Sequence, residues 1–452
     1  MSRRRGRRRR SGLLVAGIAA MLAATLGLAG CTAPGTSSSE PSQASVTLPN
    51  DEATAIKTAV TDAMKLAGAS GAIVGVWAPW AGTYTAGIGT TTTKGKQSVT
   101  PDMAWRIGSV TKPMTCTVLL SLAQKGEVSL DDPVSKYLPR LVGIDGLKLG
   151  QLCQNTSGLG DYSAALGPQF VDNPLRTYVP LELVSNGMGE PRAGTPGQTW
   201  SYSNAGFILL GMALQAATGK DWQTLYRDEV FSPLGMSSST LPQTTSIPGS
   251  DLHGYATALD EVTGDPRCGT LMDDTAMAPS SAWTAKGVVS TLGDLKTFAQ
   301  SFATASLLQG ETKKAAWKTV PLGTDVAAWQ QYGMGGLQLG PMRGHDGSVP
   351  GFITSVLSDP DSGLTVVVML NNSTSGAAYA QSLAMELTAI AAGFAPAEGR
   401  KAPGVSLPWK ADDAKAALQQ LATCRPADAG PAPTPAPEPT PAPAVYRPLP
   451  AN

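Results

Sequence analysis

The chain has 452 residues, 42% hydrophobic and 15% charged, which is enough to bury a large core and more than one compact domain usually needs. Basic and acidic residues balance at 34 each, but seven arginines stand among the first ten residues; without them 27 basic residues face 34 acidic ones, a net charge near minus seven. That sign sets nucleic acid aside as a partner, because phosphate binding needs a basic patch.

Behind the arginines lies an apolar stretch, 13–28, too short and too rich in glycine and alanine to read as a membrane-spanning helix. It meets Leu28-Ala29-Gly30-Cys31, which resembles the lipobox of bacterial lipoproteins, where the cysteine becomes the lipidated first residue of the mature chain. Charge, apolar run and small residues together predict an export signal over 1–30; an ordinary signal peptide or an uncleaved anchor is the other reading. Lipid on Cys31 would hold an extracytoplasmic protein on the outer membrane face, each buried methylene adding about 0.8 kcal/mol. The Ser/Thr/Pro-rich residues 31–50 then read as a flexible tether.

Next, Ile56, Val60 and Met64 recur at helical spacing behind Asp51, which can cap, and Gly68 suits a stop. Residues 72–77 and 83–88 are apolar, β-prone runs separated by Pro79 and Gly82, the pattern of a hairpin. From 115 to 125, and through much of the next 150 residues, the pattern is helical. Residues 352–357, 359–363 and 364–370 read as strand, turn and strand, followed by a last helix over 376–392. Strands at both ends should pair in one sheet, which makes the 51–393 domain an α/β fold of the α+β type. Its sheet lobe spans about 51–115 and 285–393, and a helical lobe about 116–284. Residues 394–452 become Pro- and Ala-rich and are expected to form an extended tail, with a short helix allowed between Trp409 and Cys424.

The chemistry begins at Arg106-Ile107-Gly108-Ser109-Val110-Thr111-Lys112. Serine and lysine three positions apart share a helical face, so the amine can reach the hydroxyl. Serine is a weak nucleophile that needs a base, and a lysine serves once burial and neighbours lower its pKa from about 10.4. Such a pair arises by chance, with a capping serine and a surface lysine; its company gives it weight. Tyr202-Ser203-Asn204 opens a second helical pattern over 205–217, placing a phenol that can pass a proton and an amide that can hold substrate and lysine. Gly344-His345-Asp346-Gly347-Ser348 precedes a strand-like run; Gly347 allows close backbone approach, and the Ser348 amide can join that of Ser109 as an oxyanion hole.

The ordered set Ser109-x-x-Lys112, Tyr202-x-Asn204 and His345-Asp346-Gly347 resembles the family of class C serine β-lactamases, DD-carboxypeptidases and related esterases. Supporting stretches are Leu130-Asp131-Asp132-Pro133-Val134-Ser135-Lys136-Tyr137-Leu138-Pro139, Asn155-Thr156-Ser157-Gly158-Leu159, Val289-Ser290-Thr291 and Val349-Pro350-Gly351-Phe352. The resemblance covers nearly all of 51–393. It implies a β-lactamase/transpeptidase-like fold, an antiparallel sheet flanked by helices with an inserted helical lobe and the site between them. It also implies a serine hydrolase acting through an acyl-enzyme on ester, amide or D-alanyl peptide bonds of small-molecule or peptidoglycan-derived substrates, without a cofactor. Carried over, Ser109 is the nucleophile, Lys112 and Tyr202 share acid/base work, Asn204 positions substrate, His345 lines the cleft, and Asp346, Gly347 and Ser348 meet the substrate.

Two positions depart from the pattern. Asn155 stands where the family commonly has a histidine, a place more structural than catalytic. Asp346 stands where a threonine usually helps hold the substrate carboxylate, so an ionised aspartate there would repel that carboxylate and favour uncharged substrates. With only His253 and His345 in the chain and no cysteine in metal-ligand spacing, no metal site is expected, and His253 reads as structural. After Cys31, four cysteines remain in an oxidising compartment; Cys116 with Cys153 and Cys268 with Cys424 is the favoured pairing, buried free thiols the other reading. The rival to an enzyme is a binding lipoprotein of the cell wall that kept the fold and lost turnover.

Overall fold

The computed structural model describes residue 43, residues 46–260 and residues 262–425. The export segment, Cys31, most of the tether and the Pro-rich run from 426 lie outside the described residues.

The body opens with helix α1 (Asn50–Ala67), whose Ile56, Val60 and Met64 are buried as their spacing requires. It begins one residue before Asp51, which lies with Glu52 in the first turn where carboxylates favour the helix dipole, and it ends on Gly68 at φ 64°. Strand β1 (Gly71–Ala78) is buried at every position because it is covered on both faces: Val74 and Val76 enter one core, Ile73 and Trp77 the other. It pairs with β2 (Gly82–Gly89) as the expected hairpin. Helices α2 (Thr111–Gln124), α3 (Asn204–Thr218) and α4 (Leu292–Thr304) follow. Then come the strands β3 (Val320–Pro321), β4 (Gln330–Tyr332), β5 (Leu337–Leu339), β6 (Met342–Val349), β7 (Phe352–Ser358) and β8 (Thr365–Leu370), and the helices α5 (Gly376–Ala392) and α6 (Ala411–Leu421).

The eight strands form one antiparallel sheet in the order β2-β1-β8-β7-β6-β5-β4-β3. N-terminal and C-terminal strands meet at β1 and β8, where Ala72 pairs with Leu370 and Trp77 with Thr365. On one face α1 and α5 bury Ile56, Val366, Leu383 and Leu387; on the other α4 and the lobe of α2 and α3 bury Leu119, Phe207, Leu295 and Val367. The middle of the chain is not wholly helical. It contains a hairpin, Tyr255–Leu259 with Pro266–Asp273, whose second strand is largely exposed and therefore lacks an apolar alternation to announce it.

The packed chain also continues past residue 393. Trp409 and Leu418 are buried in the core beneath α5, and the Trp409 indole donates to the Met385 carbonyl at 3.0 Å. Cys424 is bonded to Cys268 of the exposed hairpin. Residues 394–425 thus belong to the body, because two apolar anchors in an otherwise Ala- and Pro-rich segment suffice to dock α6 on α5.

Candidate active site

Ser109 is carried on a turn pinned from three sides. Trp105–Arg106 pairs with Val289–Ser290, and the buried Arg106 guanidinium donates to the carbonyls of Thr245 and Thr275, each at 2.5 Å. Gly108 then adopts φ 59°, opening a 3₁₀ turn that runs into α2. The Ser109 N–H lies at a helix start, where the first amides lack an intrahelical acceptor. Lys112, one turn on, is fully buried.

The second element is the start of α3. Asn155, at φ 54°, accepts the Ser201 N–H at its carbonyl (2.7 Å) and the Ser203 N–H at its side chain (3.1 Å), which holds the segment bearing Tyr202. Ser203 caps the helix by accepting the Gly206 N–H at 3.1 Å. The Tyr202 hydroxyl donates to Ser109 Oγ at 2.7 Å. Asn204 donates from Nδ2 to Asp161 (2.8 and 3.1 Å) and to Ser163 Oγ (3.1 Å). An ionised carboxylate only accepts, so Asp161 fixes which way the Asn204 amide faces.

Lys112 Nζ lies 2.7 Å from Asn204 Oδ1, 3.1 Å from the Ala285 carbonyl and 3.0 Å from Ser109 Oγ. The first two neighbours can only accept. An uncharged amine has two N–H groups and one lone pair, so donating to both carbonyl oxygens aims the lone pair at the serine hydroxyl. The protonation states fit this. Burial, and next the positive charge of Lys286, push the Lys112 amine well below the ordinary lysine range, against the opposing Asp161 and Asp346. Burial holds the Tyr202 phenol well above its usual range, so it stays protonated and able to donate.

The third element is β6. Its two-residue turn at Pro350-Gly351 makes Val349 and Phe352 the hydrogen-bonded pair, so the amides of Asp346 and Ser348 point to the opposite edge, which β5 covers only as far as Gly344. That edge meets the nucleophile turn. A Cβ on Gly108 would come within 2.6 Å of the Ser348 amide nitrogen, and one on Gly347 within 2.3 Å of the Ile107 carbonyl and 2.7 Å of the Ser109 nitrogen. Both glycines are therefore required for the Ser109 and Ser348 amides to share one space.

Asp346 takes a place different from the one expected, while His345 stays on the strand beside Tyr202. The His345 Nδ1 lies 2.5 Å from the Asp346 carbonyl, and its Nε2 3.1 Å from the Tyr332 hydroxyl, so Nδ1 donates and Nε2 accepts. Burial lowers its pKa to about 3, and the neutral ring stands 6.4 Å from that of Tyr202. With both nitrogens engaged, His345 supports the tyrosine and is no acid or base toward Ser109. Asp346 pairs with Ser355 in register, and alternation sends its side chain to the face opposite Gly347, where Ala378 and Gln381 of α5 line the same cavity. Burial raises its pKa to about 6. It is not aimed at a substrate carboxylate.

The structure joins Cys116 to Cys153, tying α2 to the segment before Asn155. His253 pairs with Asp273 at 2.7 Å on the surface, outside the Ser109 network. Asp161 and Lys286 join the site without any sequence signal: Asp161 follows Asn155-Thr156-Ser157-Gly158-Leu159 in a loop, and Lys286 lies in a short turn of helix far along the chain.

A serine held between a buried amine and a phenol, beside an open strand edge of an antiparallel sheet flanked by helices, defines a serine hydrolase of the acyl-transfer kind. The chain belongs to the Beta-lactamase family, whose model matches residues 56–389. It is 28% identical over 298 residues to Penicillin-binding protein 4 of Amycolatopsis lactamdurans, covering 61% of this chain and 74% of that one. With the D-alanyl-D-alanine-carboxypeptidase/endopeptidase AmpH of Escherichia coli strain K12 the identity is 29%, over 60% of this chain and 72% of the other. Among solved structures, a D-stereospecific amidohydrolase from Streptomyces sp. superposes with a TM-score of 0.61 at 27% identity, covering 71% of this chain and 93% of that one. Other curated relatives are spanned less fully, such as 52% of a D-aminopeptidase of Cereibacter sphaeroides and 32% of Protein flp of Staphylococcus aureus strain MW2.

Proposed function

We propose that the protein cleaves amide, peptide or ester bonds next to D-configured residues by forming an acyl-enzyme on Ser109. Lys112 takes the Ser109 proton as the hydroxyl oxygen attacks the carbonyl, and the Ser109 and Ser348 amides receive the charge that develops on the carbonyl oxygen. Tyr202 gives its proton to the leaving group as the bond to the acyl carbon breaks, and the Lys112 ammonium makes good the phenol's proton and returns to the amine. Water then repeats the attack on the acyl-serine and regenerates the hydroxyl. The observation that carries this reading is the placement of Lys112, whose two N–H groups are committed to Asn204 and Ala285 while its lone pair faces Ser109 Oγ.

The substrate class is supported by relatives named D-stereospecific amidohydrolase and D-alanyl-D-alanine-carboxypeptidase. The turn of Asp346 away from Gly347 and toward α5 removes the reason to exclude substrates with a carboxylate, so D-alanyl peptides stand beside neutral esters. The arginine run, apolar stretch and Cys31 support an extracytoplasmic, lipid-anchored enzyme of the cell envelope, acting on peptidoglycan-derived or small substrates.

A fluorophosphonate probe with intact-mass readout tests the reaction. The protein should gain one adduct, Ser109→Ala none, and the labelled protein should lose hydrolysis of D-alanyl-D-alanine peptides, cephalosporins and simple esters alike. Full turnover by Ser109→Ala would refute the assignment.

A further inference from the structure

Asp161 belongs to none of the three motifs, yet the Asn204 amide rests on it. It lies in the loop that leads into the helix Ser163–Asp172, and that loop is tied down on both sides. The Ser163 N–H donates to Asp161 Oδ1 at 3.2 Å, and the hydroxyl of Ser203, the residue before Asn204, donates to the Gly160 carbonyl at 2.8 Å. The carboxylate therefore stands across from Asn204, whose Nδ2 lies 2.8 Å from one of its oxygens and 3.1 Å from the other. Ser163 Oγ, 3.1 Å from the same nitrogen, can donate or accept and so tolerates both orientations of the amide. Asp161 tolerates one, because its oxygens accept N–H groups and repel the amide oxygen.

We propose that Asp161 is a positioning residue for the acylation step: by holding Nδ2 of Asn204 it keeps Oδ1 on Lys112, and so keeps the Lys112 lone pair on Ser109. An inverted amide would put an N–H where the Asn204 oxygen now lies, 2.7 Å from Lys112 Nζ. The amine lone pair would accept that N–H, and none would be left for the Ser109 hydroxyl at 3.0 Å. Lys112 could no longer take the serine proton, although every residue of the site would still be in place. The ammonium form has no lone pair and only donates, so it demands the amide oxygen whatever stands at position 161. The orientation set by Asp161 thus matters for the uncharged amine alone. This role rests on Lys112 acting as the base of the proposed hydrolase.

The test is the pH dependence of fluorophosphonate acylation in the full chain, in Asp161→Asn and in Asp161→Ala. Acylation requires the amine form of Lys112, so the rate is lost as pH falls and levels off on the alkaline side. Asp161, Asp346 and Lys286 act on Lys112 through their charges, with the uncharged Tyr202 and His345 beside it; Asp161 also faces Lys286 and the Tyr162 phenol. Asp161→Asn keeps the size of the side chain and an oxygen for the Ser163 N–H, but turns N–H groups toward Asn204 Nδ2 and so favours the inverted amide. Its alkaline plateau should fall by about tenfold or more. At the foot of the acid limb it should equal or exceed the parent, because the ammonium orients the amide by itself and the lost carboxylate no longer draws a proton to Lys112. Asp161→Ala presents no donor to Nδ2 and should lose less of the plateau than Asp161→Asn. A loss of equal size at every pH, a larger plateau loss in Asp161→Ala, or a limb displaced to lower pH with the plateau intact overturns the role while leaving the hydrolase in place. Absence of labelling in the unaltered protein at any pH would instead remove the hydrolase reading, and this role with it.

Discussion

At Asp274 a carboxylate is buried with neither oxygen hydrogen-bonded among the described residues, and burial, with Asp273 and Asp172 nearby, pushes its pKa up to about 7. A group whose folded pKa lies above its unfolded value adds stability that is fully present below the unfolded pKa, near 3.8, and lost as pH rises through about 7. Asparagine resembles the protonated acid. Asp274→Asn should therefore match the parent near pH 4 and melt higher than it near pH 9, by up to about 4 kcal/mol of stability. Melting curves that shift equally at both pH values would show that the carboxylate is not the source. Lys112 and Tyr202 show the same physics. Burial lowers the Lys112 amine and raises the Tyr202 phenol, so both stand uncharged beside Ser109, one ready to accept a proton and the other to donate one.

Among the elements, β6 does the most with the least side chain. Its last residues form the sheet edge that faces the nucleophile turn, and glycine at 347 lets two backbones approach where any Cβ would strike Ile107 and Ser109. Gly347→Ala should fold, because β6 stays paired with β7 along its length. Its kcat/KM should fall by about a hundredfold or more, since a shift of about 1 Å between oxyanion donors and nucleophile costs that much. Parent-like rates on an ester substrate would show that the two amides do not act together. The helical element is no less dependent on distant backbone. Tyr202 and Asn204 reach Ser109 and Lys112 only because Asn155 anchors the extended segment that precedes α3.

On the scale of the whole molecule, the body extends through residue 425 and is closed by the Cys268–Cys424 bond, so α6 is part of what the sheet rests on. The proposed membrane anchor lies at the other end. If Cys31 carries the lipid, Cys31→Ala should move the protein from the membrane pellet to the soluble fraction, since several acyl chains account for its attachment. A variant that still sediments with membranes would mean that the apolar stretch itself remains as the anchor.

Much of this molecule was legible from residue spacing alone. Ile56, Val60 and Met64 announced α1, the runs in β1 and β8 announced buried strands, and Ser109 with Lys112, and Tyr202 with Asn204, lie at separations that one helical turn or one helix start decides. Such signals are local, carried by the 3.6-residue and two-residue periods of the backbone. Tertiary structure decided the rest, because it depends on contacts between residues far apart in the chain. Register, not composition, turned Asp346 away from the cleft, and the loss of a neighbouring strand beyond Gly344 opened the edge that holds Ser348. Packing drew Asp161 onto Asn204 and set Lys286 on the rings of Tyr162 and Phe170, although no period in the sequence links any of these positions. Proline and alanine content makes 394–452 read as a tail with at most a short helix between Trp409 and Cys424; within it Trp409 and Leu418 dock residues 394–425 on the body, since two large apolar side chains contribute more to packing than average composition reveals.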